Sequence, residues 1–341
     1  MPQPPRQSVA IVDAPERPRR FVFVLLPRFT MLSFASAVEC LRIANRVSGR
    51  RLYEWIITGE PEDDGDGPEH VTSSAGVAFR LDTALPELTR DDTAILCGGI
   101  DVAGATTKTL LNWLRREARR GPQLGGLCTA GWSLARAGLL DGKRATIHWE
   151  NHDSFSEEFP DVTLTKSVFV RDGNRMTTAG GTSSIDLMLK VIADDHGEDL
   201  AGAVADQLIY NAIRTDQDTQ RLSVPTRIGV RHPKLSQVIH KMEANIEEPI
   251  SPALLAHEVG MSTRQLERLF RRYLNRSPKR YYMELRLQKA RNLLMQTDMS
   301  VINVALACGF TSPSHFSKCY RAHYQTTPYR ERGTQATRNP A

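Results

Sequence analysis

The stretch "GGLCTAGWSLARAGL", residues 125–139, places a cysteine directly after a short apolar run and at the mouth of a helical pattern. "QLGGLC" (123–128) reads as a strand, because a brief continuous apolar run suits a strand buried on both faces. The helix it enters is predicted to run to about Leu140. In open α/β sheets ligands sit beyond the carboxyl ends of the strands, and Cys128 stands at one such end. The first free N–H groups of the helix, around Ala130 to Trp132, favour an anion or a thiolate there. A buried free cysteine also serves as a small hydrophobe, so position alone leaves both readings open.

The same alternation extends on either side. "RFVFVLL" (20–26), "YEWIIT" (53–58) and "TAILCGG" (93–99) read as further strands. After Pro27, the residues Leu32, Ala35, Val38, Leu41 and Ile43 recur at helical spacing. "TKTLLNWLRREARR" (107–120) is an amphipathic helix stopped by Gly121 and Pro122. Strands alternating with helices imply a mainly parallel, flavodoxin-like sheet covered on both faces. "EPEDDGDGPEH" (60–70), acidic and rich in Gly and Pro, reads as a surface loop. A later helix carries Leu200, Val204, Leu208 and Ile209; it closes this core or pairs with its copy in a dimer, and the core is the favoured reading.

A chain of 341 residues has room for two domains with separate cores. No apolar run reaches the roughly 20 residues that span a bilayer. The start, "MPQPPRQSVAIVDAPERPRR", lacks the apolar stretch of a signal peptide and reads as a disordered lead-in. Five cysteines without a Cys-x-x-Cys pair make a disulfide framework or zinc cluster unexpected and fit a reducing cytoplasm. No metal or other cofactor is expected. Charge is split unevenly: residues 225–341 hold 19 Lys+Arg and 8 Asp+Glu, a net of +11, which leaves −6 on residues 1–224. An acidic body on a basic tail points to a polyanion met by the tail alone, although a merely solvated basic face has the same composition.

That basic tail contains a repeat. "SPALLAHEVGMSTRQLERLFRRYL" (251–274) returns in outline as "SVINVALACGFTSPSHFSKCYRAHY" (300–324), with Gly260 and Gly309 at the turns 49 residues apart. Ser262 and Ser312 are predicted N-caps of the second helices. Leu266, Leu269 and Phe270 form one core stripe, and Phe316, Tyr320 and Cys319 its counterpart. "PKRYYMELRLQKARNLLMQT" (278–297) reads as a long joining helix with Met283, Leu287, Ala290 and Leu294 on one side. The second part of the chain is thus an all-α domain with two helix-turn-helix motifs. With the stripes inward, Thr263, Arg264, Glu267, Arg268 and Arg271 face out on the first reader helix; Pro313, Ser314, Ser317, Lys318 and Arg321 do so on the second.

Two resemblances follow from these residues. "GGLCTAG", "AGLLDGKRATIHW" (137–149) and "TTAGGTSSIDLMLKVI" (177–192) resemble the PfpI-like branch of the class I glutamine-amidotransferase-like superfamily. More narrowly, roughly residues 20 to 200 are similar to the sensor domain of GlxA-type regulators. The resemblance implies that Cys128 occupies a nucleophile elbow with His148 close by. Catalytic members support the thiol with a carboxylate and often an adjacent histidine. Here Thr129 follows the cysteine, Ser33 stands where the acid is expected, and Glu39 lies almost two helical turns further along. The resemblance therefore implies no catalytic residue, and a ligand pocket built from Cys128, Thr129, Trp132, His148, Ser33 and Glu39. "FASAVECLRIAN" (34–45) is similar to members sensing arginine, glycine betaine, carnitine and related amines. A quaternary ammonium calls for an aromatic cage, for which Phe29, Phe34, Trp132 and Trp149 offer faces, each of them alternatively a core residue.

The tail resembles the DNA-binding domain of the AraC/XylS family over about residues 233 to 332. The resemblance implies that both second helices enter successive major grooves about one helical turn apart. Matched to the motif, Arg264, Glu267, Arg268, Ser314, Ser317 and Lys318 contact bases, arginine gripping guanine and glutamate accepting from cytosine. Arg272, Arg276, Lys279 and Arg280 hold phosphates. Many members have glycine after each reader helix, but Asn275 and Gln325 stand here. Asn tolerates a left-handed cap and Gln does so less readily, so the second helix is expected to end differently.

The organisation expected is a disordered segment over 1–19, the α/β sensor over 20–213, a linker over 214–232, the DNA-binding domain over 233–332 and a tail over 333–341. The function expected is a cytoplasmic, dimeric transcription activator of GlxA type. Its partners are double-stranded DNA, a small effector and, as the family implies, RNA polymerase, with no membrane. The alternatives are a cysteine-dependent hydrolase or amidase fused to a DNA module, against which Ser33 and Thr129 argue, and a module acting through protein partners.

Overall fold

A computed structural model describes residues 17–61, 69–220 and 232–336. The chain divides into two units after Gln220. The segments expected over 1–19 and 333–341, and the acidic loop over 60–70, lie mostly outside the described residues, except that Arg19 already opens the first strand.

In the first unit six strands form one sheet: β1 (Arg19–Leu25), β2 (Tyr53–Gly59), β5 (Thr93–Cys97), β6 (Gln123–Leu127), β9 (Phe169–Asp172) and β10 (Arg175–Thr178). The short strands β3 (His70–Thr72), β4 (Ala78–Arg80), β7 (Arg144–Ala145) and β8 (Thr163–Leu164) pair outside it. The order in the sheet is β2-β1-β5-β6-β10-β9, and all neighbours are parallel except the edge pair β10 and β9. The apolar run of β1 supplies both faces by simple alternation. Phe21, Phe23 and Leu25 enter one core; Val22, Val24 and Leu26 enter the other. The first core is roofed by α1 (Met31–Ser48), α6 (Ser183–His196) and α7 (Glu198–Gln207). The second is covered by α2 (Val102–Ala105), α3 (Lys108–Ala118), α4 (Gly131–Arg136) and α5 (His152–Glu158).

Three expectations need correcting. The buried side of α1 is Ser33, Phe34, Ser36, Ala37, Cys40, Leu41, Ile43 and Ala44, while Leu32 is 53% exposed. Two of the buried positions, Ser33 and Ser36, are hydroxyl residues, which a hydrophobicity count overlooks. Helix α4 stops at Arg136 rather than near Leu140, because Gly138 turns the chain at φ +75. Helix α7 does close the core, through Leu200, Ala201, Val204 and Ala205, but it ends before Ile209, which is 83% exposed. The first part of the predicted linker is also no free connection: residues 214–220 are hydrogen-bonded onto the α/β unit.

The second unit consists of α8 (Pro233–Ala244), α9 (Pro252–Glu258), α10 (Thr263–Leu274), α11 (Pro278–Gln296), α12 (Val301–Ala307), α13 (Pro313–Tyr324) and α14 (Pro328–Ala336). Helices α9 and α10 make the first helix-turn-helix and α12 and α13 the second. Leu255, Leu266 and Phe270 pack with Leu235, Ile239 and Met242 in one core. Phe310, Phe316 and Tyr320 pack with Leu287, Ala290 and Leu294 in the other. The joining helix α11 feeds both, giving Tyr282 to the first and its later turns to the second. Ser262 caps α10 in a reciprocal capping box with Gln265, and Ser312 accepts from His315 N–H at the start of α13.

Both reader helices end alike. Asn275 and Gln325 take left-handed φ of +52 and +58, and their N–H groups donate to the carbonyls of Arg271 and Arg321. The expected difference at Gln325 is not present. The tertiary setting of the following helix, which starts with a proline in each repeat (Pro278, Pro328), outweighs the weaker intrinsic tolerance of glutamine.

Candidate functional site

Strand β6 hands the chain to Cys128, which turns at φ +62 before α4 begins. A non-glycine residue in this region costs on the order of 1–3 kcal/mol and persists only where its surroundings hold it. They do so from four sides. The Cys128 Sγ lies 3.5 Å from the Thr30 hydroxyl at the head of α1. The Thr129 hydroxyl donates to the Gly99 carbonyl at 2.7 Å, tying the elbow to the loop after β5. The His148 N–H reaches the Cys128 carbonyl at 3.4 Å. Gly180, at φ +87, closes the remaining side: a Cβ there would stand 2.6 Å from the Cys128 Cβ and 2.8 Å from its Sγ. Only glycine permits that approach. Next to it, the Gly181 N–H donates to the Ser33 Oγ at 2.7 Å, so Ser33 supports the covering turn.

This elbow holds a thiol and does not activate it. Burial pushes the Cys128 thiol above its ordinary pKa, and the Glu150 carboxylate adds to the shift. The Thr30 hydroxyl and the Thr129 N–H oppose it and lose. The helix-start N–H groups expected to favour a thiolate are partly spent: those of Ala130 and Trp132 donate to the carbonyls of Leu127 and Thr129 at 3.1 and 2.9 Å. His148 is engaged through one ring nitrogen. Its Nδ1 accepts from the Glu150 N–H at 3.4 Å and faces the Glu150 carboxylate at 3.8 Å, and burial lowers its pKa despite that carboxylate.

Ser33, Thr129, His148 and Cys128 are thus brought together; Glu39 and Trp132 are not. Glu39 is ion-paired with Arg42 at 2.6 Å on the outer side of α1. Position-counting found the nearest carboxylate in sequence, but the helix turns it away from the buried face. Trp132 gives its indole N–H to Glu158 at 2.8 Å and packs edge-on against Phe159, which commits it to α5. The four-aromatic cage does not form, because Phe29 and Phe34 are buried in a cluster with Phe23 and Phe79. Only Trp149, beside the His148 ring at 5.7 Å, stays with the site. Sequence reading missed Thr30, Glu150 and Gly180. The "GG" pair at 180–181 was the one legible signal, since adjacent glycines after a strand mark a turn needing positive φ.

The second unit presents the other surface. Arg264, Glu267, Arg268, Arg271 and Arg272 are exposed along α10, as are Ser314, Lys318 and Arg321 along α13, with Ser317 half-exposed. Arg272 lies 5.3 Å over the Tyr273 ring. The phosphate candidates are all exposed, and Arg276 and Arg280 are in addition engaged by Glu284. No described helix is long and apolar enough to cross a membrane.

Comparison with known proteins agrees with both halves. The model of the DJ-1/PfpI family matches residues 57–194, and that of a helix-turn-helix domain matches residues 255–333. An α/β domain of the first kind ahead of paired helix-turn-helix motifs defines a DNA-binding transcription regulator rather than an enzyme. The chain belongs to the AraC/XylS family of HTH-type transcriptional regulators, in the GlxA-type branch. It is 47% identical over 321 residues to HTH-type transcriptional regulator CdhR of Pseudomonas aeruginosa, covering 94% of each chain. It is 44% identical over 323 residues to HTH-type transcriptional regulator GbdR of the same species, covering 95% of this chain and 86% of that one. A crystal structure of a THiJ/PfpI family protein from Pseudomonas syringae, 21% identical, covers 72% of this chain and 93% of its own with a TM-score of 0.52, a likeness of fold.

Proposed function

We propose that this regulator is a dimeric activator whose α/β unit binds a small amino acid or methylated amine over the Cys128 elbow. The observation that carries the reading is an elbow kept in full geometry whose buried thiol is disfavoured as a thiolate, beside a His148 whose Nδ1 is taken by the Glu150 N–H. Such a site recognises without cutting. The amine class is supported by what borders the thiol. The Glu150 carboxylate is near enough to disfavour a thiolate, and Trp149, the residue before it, lies beside the His148 ring. Negative charge next to an aromatic ring attracts a cation.

Effector binding biases the regulator by favouring one arrangement over another. The reader helices then contact bases through Arg264, Glu267, Arg268, Ser314, Ser317 and Lys318, and the protein works with RNA polymerase at the promoter. The test is a thermal-shift measurement on the full-length chain with arginine, glycine betaine and carnitine, paired with a reporter fused to its target promoter. A melting temperature that rises with one of them, together with higher reporter output, supports the reading. If none of the three shifts the melting temperature, the amine class is wrong.

A further inference from the structure

The connection that leaves the α/β unit is fastened to both walls of the Cys128 site. One wall is the turn at residues 180–182. Gly180 rests on the cysteine side chain, Gly181 is bonded to Ser33, and Thr182 is the N-cap position of α6. The Thr182 hydroxyl accepts from Arg214 Nη2 at 2.8 Å. One turn further along α6, the buried Asp186 carboxylate accepts from the Arg214 backbone N–H at 2.8 Å, from its Nε at 2.9 Å and from the Tyr210 hydroxyl at 3.0 Å. The other wall is the segment 146–148, whose His148 N–H holds the Cys128 carbonyl. There Gln220 Nε2 sits within hydrogen-bond distance of the Ile147 carbonyl and the Thr146 hydroxyl, both at 2.8 Å, and of the Ser167 carbonyl at 3.1 Å, its two N–H groups shared among them. Residues 210–220 therefore bridge the two segments that flank the thiol. The polypeptide toward the DNA-binding unit departs directly after the second anchor.

We propose that Arg214 and Gln220 are the residues through which occupancy of the Cys128 site is passed to the interdomain connection. The proposal rests on the reading of that site as the effector site. Space above the Cys128 side chain is closed by Gly180 at contact distance, so a molecule entering there displaces the 180–182 turn, the 146–148 segment or both. Each displacement acts on one anchor. Packed elements respond by shifting between discrete arrangements rather than by deforming smoothly. Coupling of this kind is reciprocal: loosening the anchors must also loosen the cover over Cys128.

That reciprocity gives a test that needs no effector. Asp186→Asn combined with Arg214→Gln removes both charges of the pair together, so no buried charge is stranded, and Gln220→Ala is added to release the second anchor. Alkylation of the folded full-length chain by iodoacetamide is followed residue by residue by mass spectrometry. The triple variant is expected to alkylate Cys128 at least about tenfold faster than wild type through more frequent local opening. Cys97, buried within β5, keeps its rate and reports any global unfolding. Gln220→Ala alone, a mild substitution, is expected to give a smaller rise in the same direction. A Cys128 rate within about twofold of wild type in both variants overturns the proposal.

A second arm uses glycine betaine and a promoter fragment. If betaine stabilises both proteins but changes DNA affinity only in wild type, the anchors carry the signal; an unchanged response in the triple variant overturns it. Should betaine stabilise neither, betaine is not the effector, while the alkylation arm still decides the coupling.

Discussion

The guanidinium of Arg286 lies 4.1 Å over the ring of Phe310, and its N–H groups donate to the carbonyls of Cys308 and Gly309 at 2.8 and 2.7 Å. Arg286 belongs to the joining helix and Phe310 to the second turn, so this contact fixes one helix-turn-helix on the helix it shares with the other. Two charge-assisted hydrogen bonds and a half-buried cation–π contact together make Arg286→Ala costly, by about 2–4 kcal/mol. Lysine cannot present two parallel donors and rescues only part. Hydrogen exchange of the α12 amides, compared between the two variants and wild type, measures this.

The two turn glycines predict unequal outcomes. Gly260 at φ +64 has only the Lys234 Nζ within reach of an added Cβ, at 3.6 Å. Gly309 at φ +72 would set its Cβ 2.6 Å from the Ile246 carbonyl oxygen and 2.8 Å from that of Glu247. Gly260→Ala is expected to cost about 1–2 kcal/mol of backbone strain alone. Gly309→Ala adds overpacking worth roughly 1–3 kcal/mol and pushes the second turn off its neighbour. Binding to a promoter fragment, scored for both variants, should fall clearly further for Gly309→Ala; equal losses would refute the argument.

On DNA, Arg264→Ala and Lys318→Ala are each expected to cost about 1–3 kcal/mol and to relax preference at separate positions, one per half of the site. Arg272→Ala and Lys279→Ala should instead weaken binding to all sequences alike and reduce the salt slope by about one unit each. Titrations at several salt concentrations on wild-type and scrambled fragments separate the two behaviours. Arg276→Ala tests a different point, since its guanidinium is already held by Glu284; its salt slope should change less.

Acidification should destabilise the α/β unit. Burial lowers the pKa of His148, His152 and His196 below the ordinary histidine value. A depressed folded-state pKa means that the unfolded chain binds protons first, so the stability is present above about pH 6.5 and is lost as pH falls through the folded values. The buried Asp186, whose pKa is raised by burial, acts in the opposite sense and offsets part of the loss. Melting temperatures measured between pH 7.5 and about 5 should therefore fall, and His152→Gln should lessen the drop.

Some of the fold was open to reading because it is written locally. The alternating faces of "RFVFVLL", the serine caps at 262 and 312 and the paired turn glycines each follow from neighbouring residues and backbone stereochemistry. The ligand site was half legible: Cys128 and His148 lie on quoted motifs, and Thr129 is adjacent to the thiol. Glu39 and Trp132 were misplaced because chain distance stands in poorly for direction on a helix. Six residues at about 100 degrees each, a net turn of roughly 120 degrees, separate Ser33 on the core side from Glu39 on the side where it meets Arg42.

By itself the sequence determined the two-part architecture, the first alternating strands and helices and the basic, duplicated reader at the end, since periodicity, caps and charge are properties of short segments. The tertiary structure alone decided that Gly180 closes over Cys128, that Gln325 accepts a left-handed cap, and that residues 214–220 are anchored on both walls of the thiol site rather than free. Those outcomes depend on which distant segments come within van der Waals or hydrogen-bond range. Such forces act over a few ångströms in space and take no account of separation along the chain.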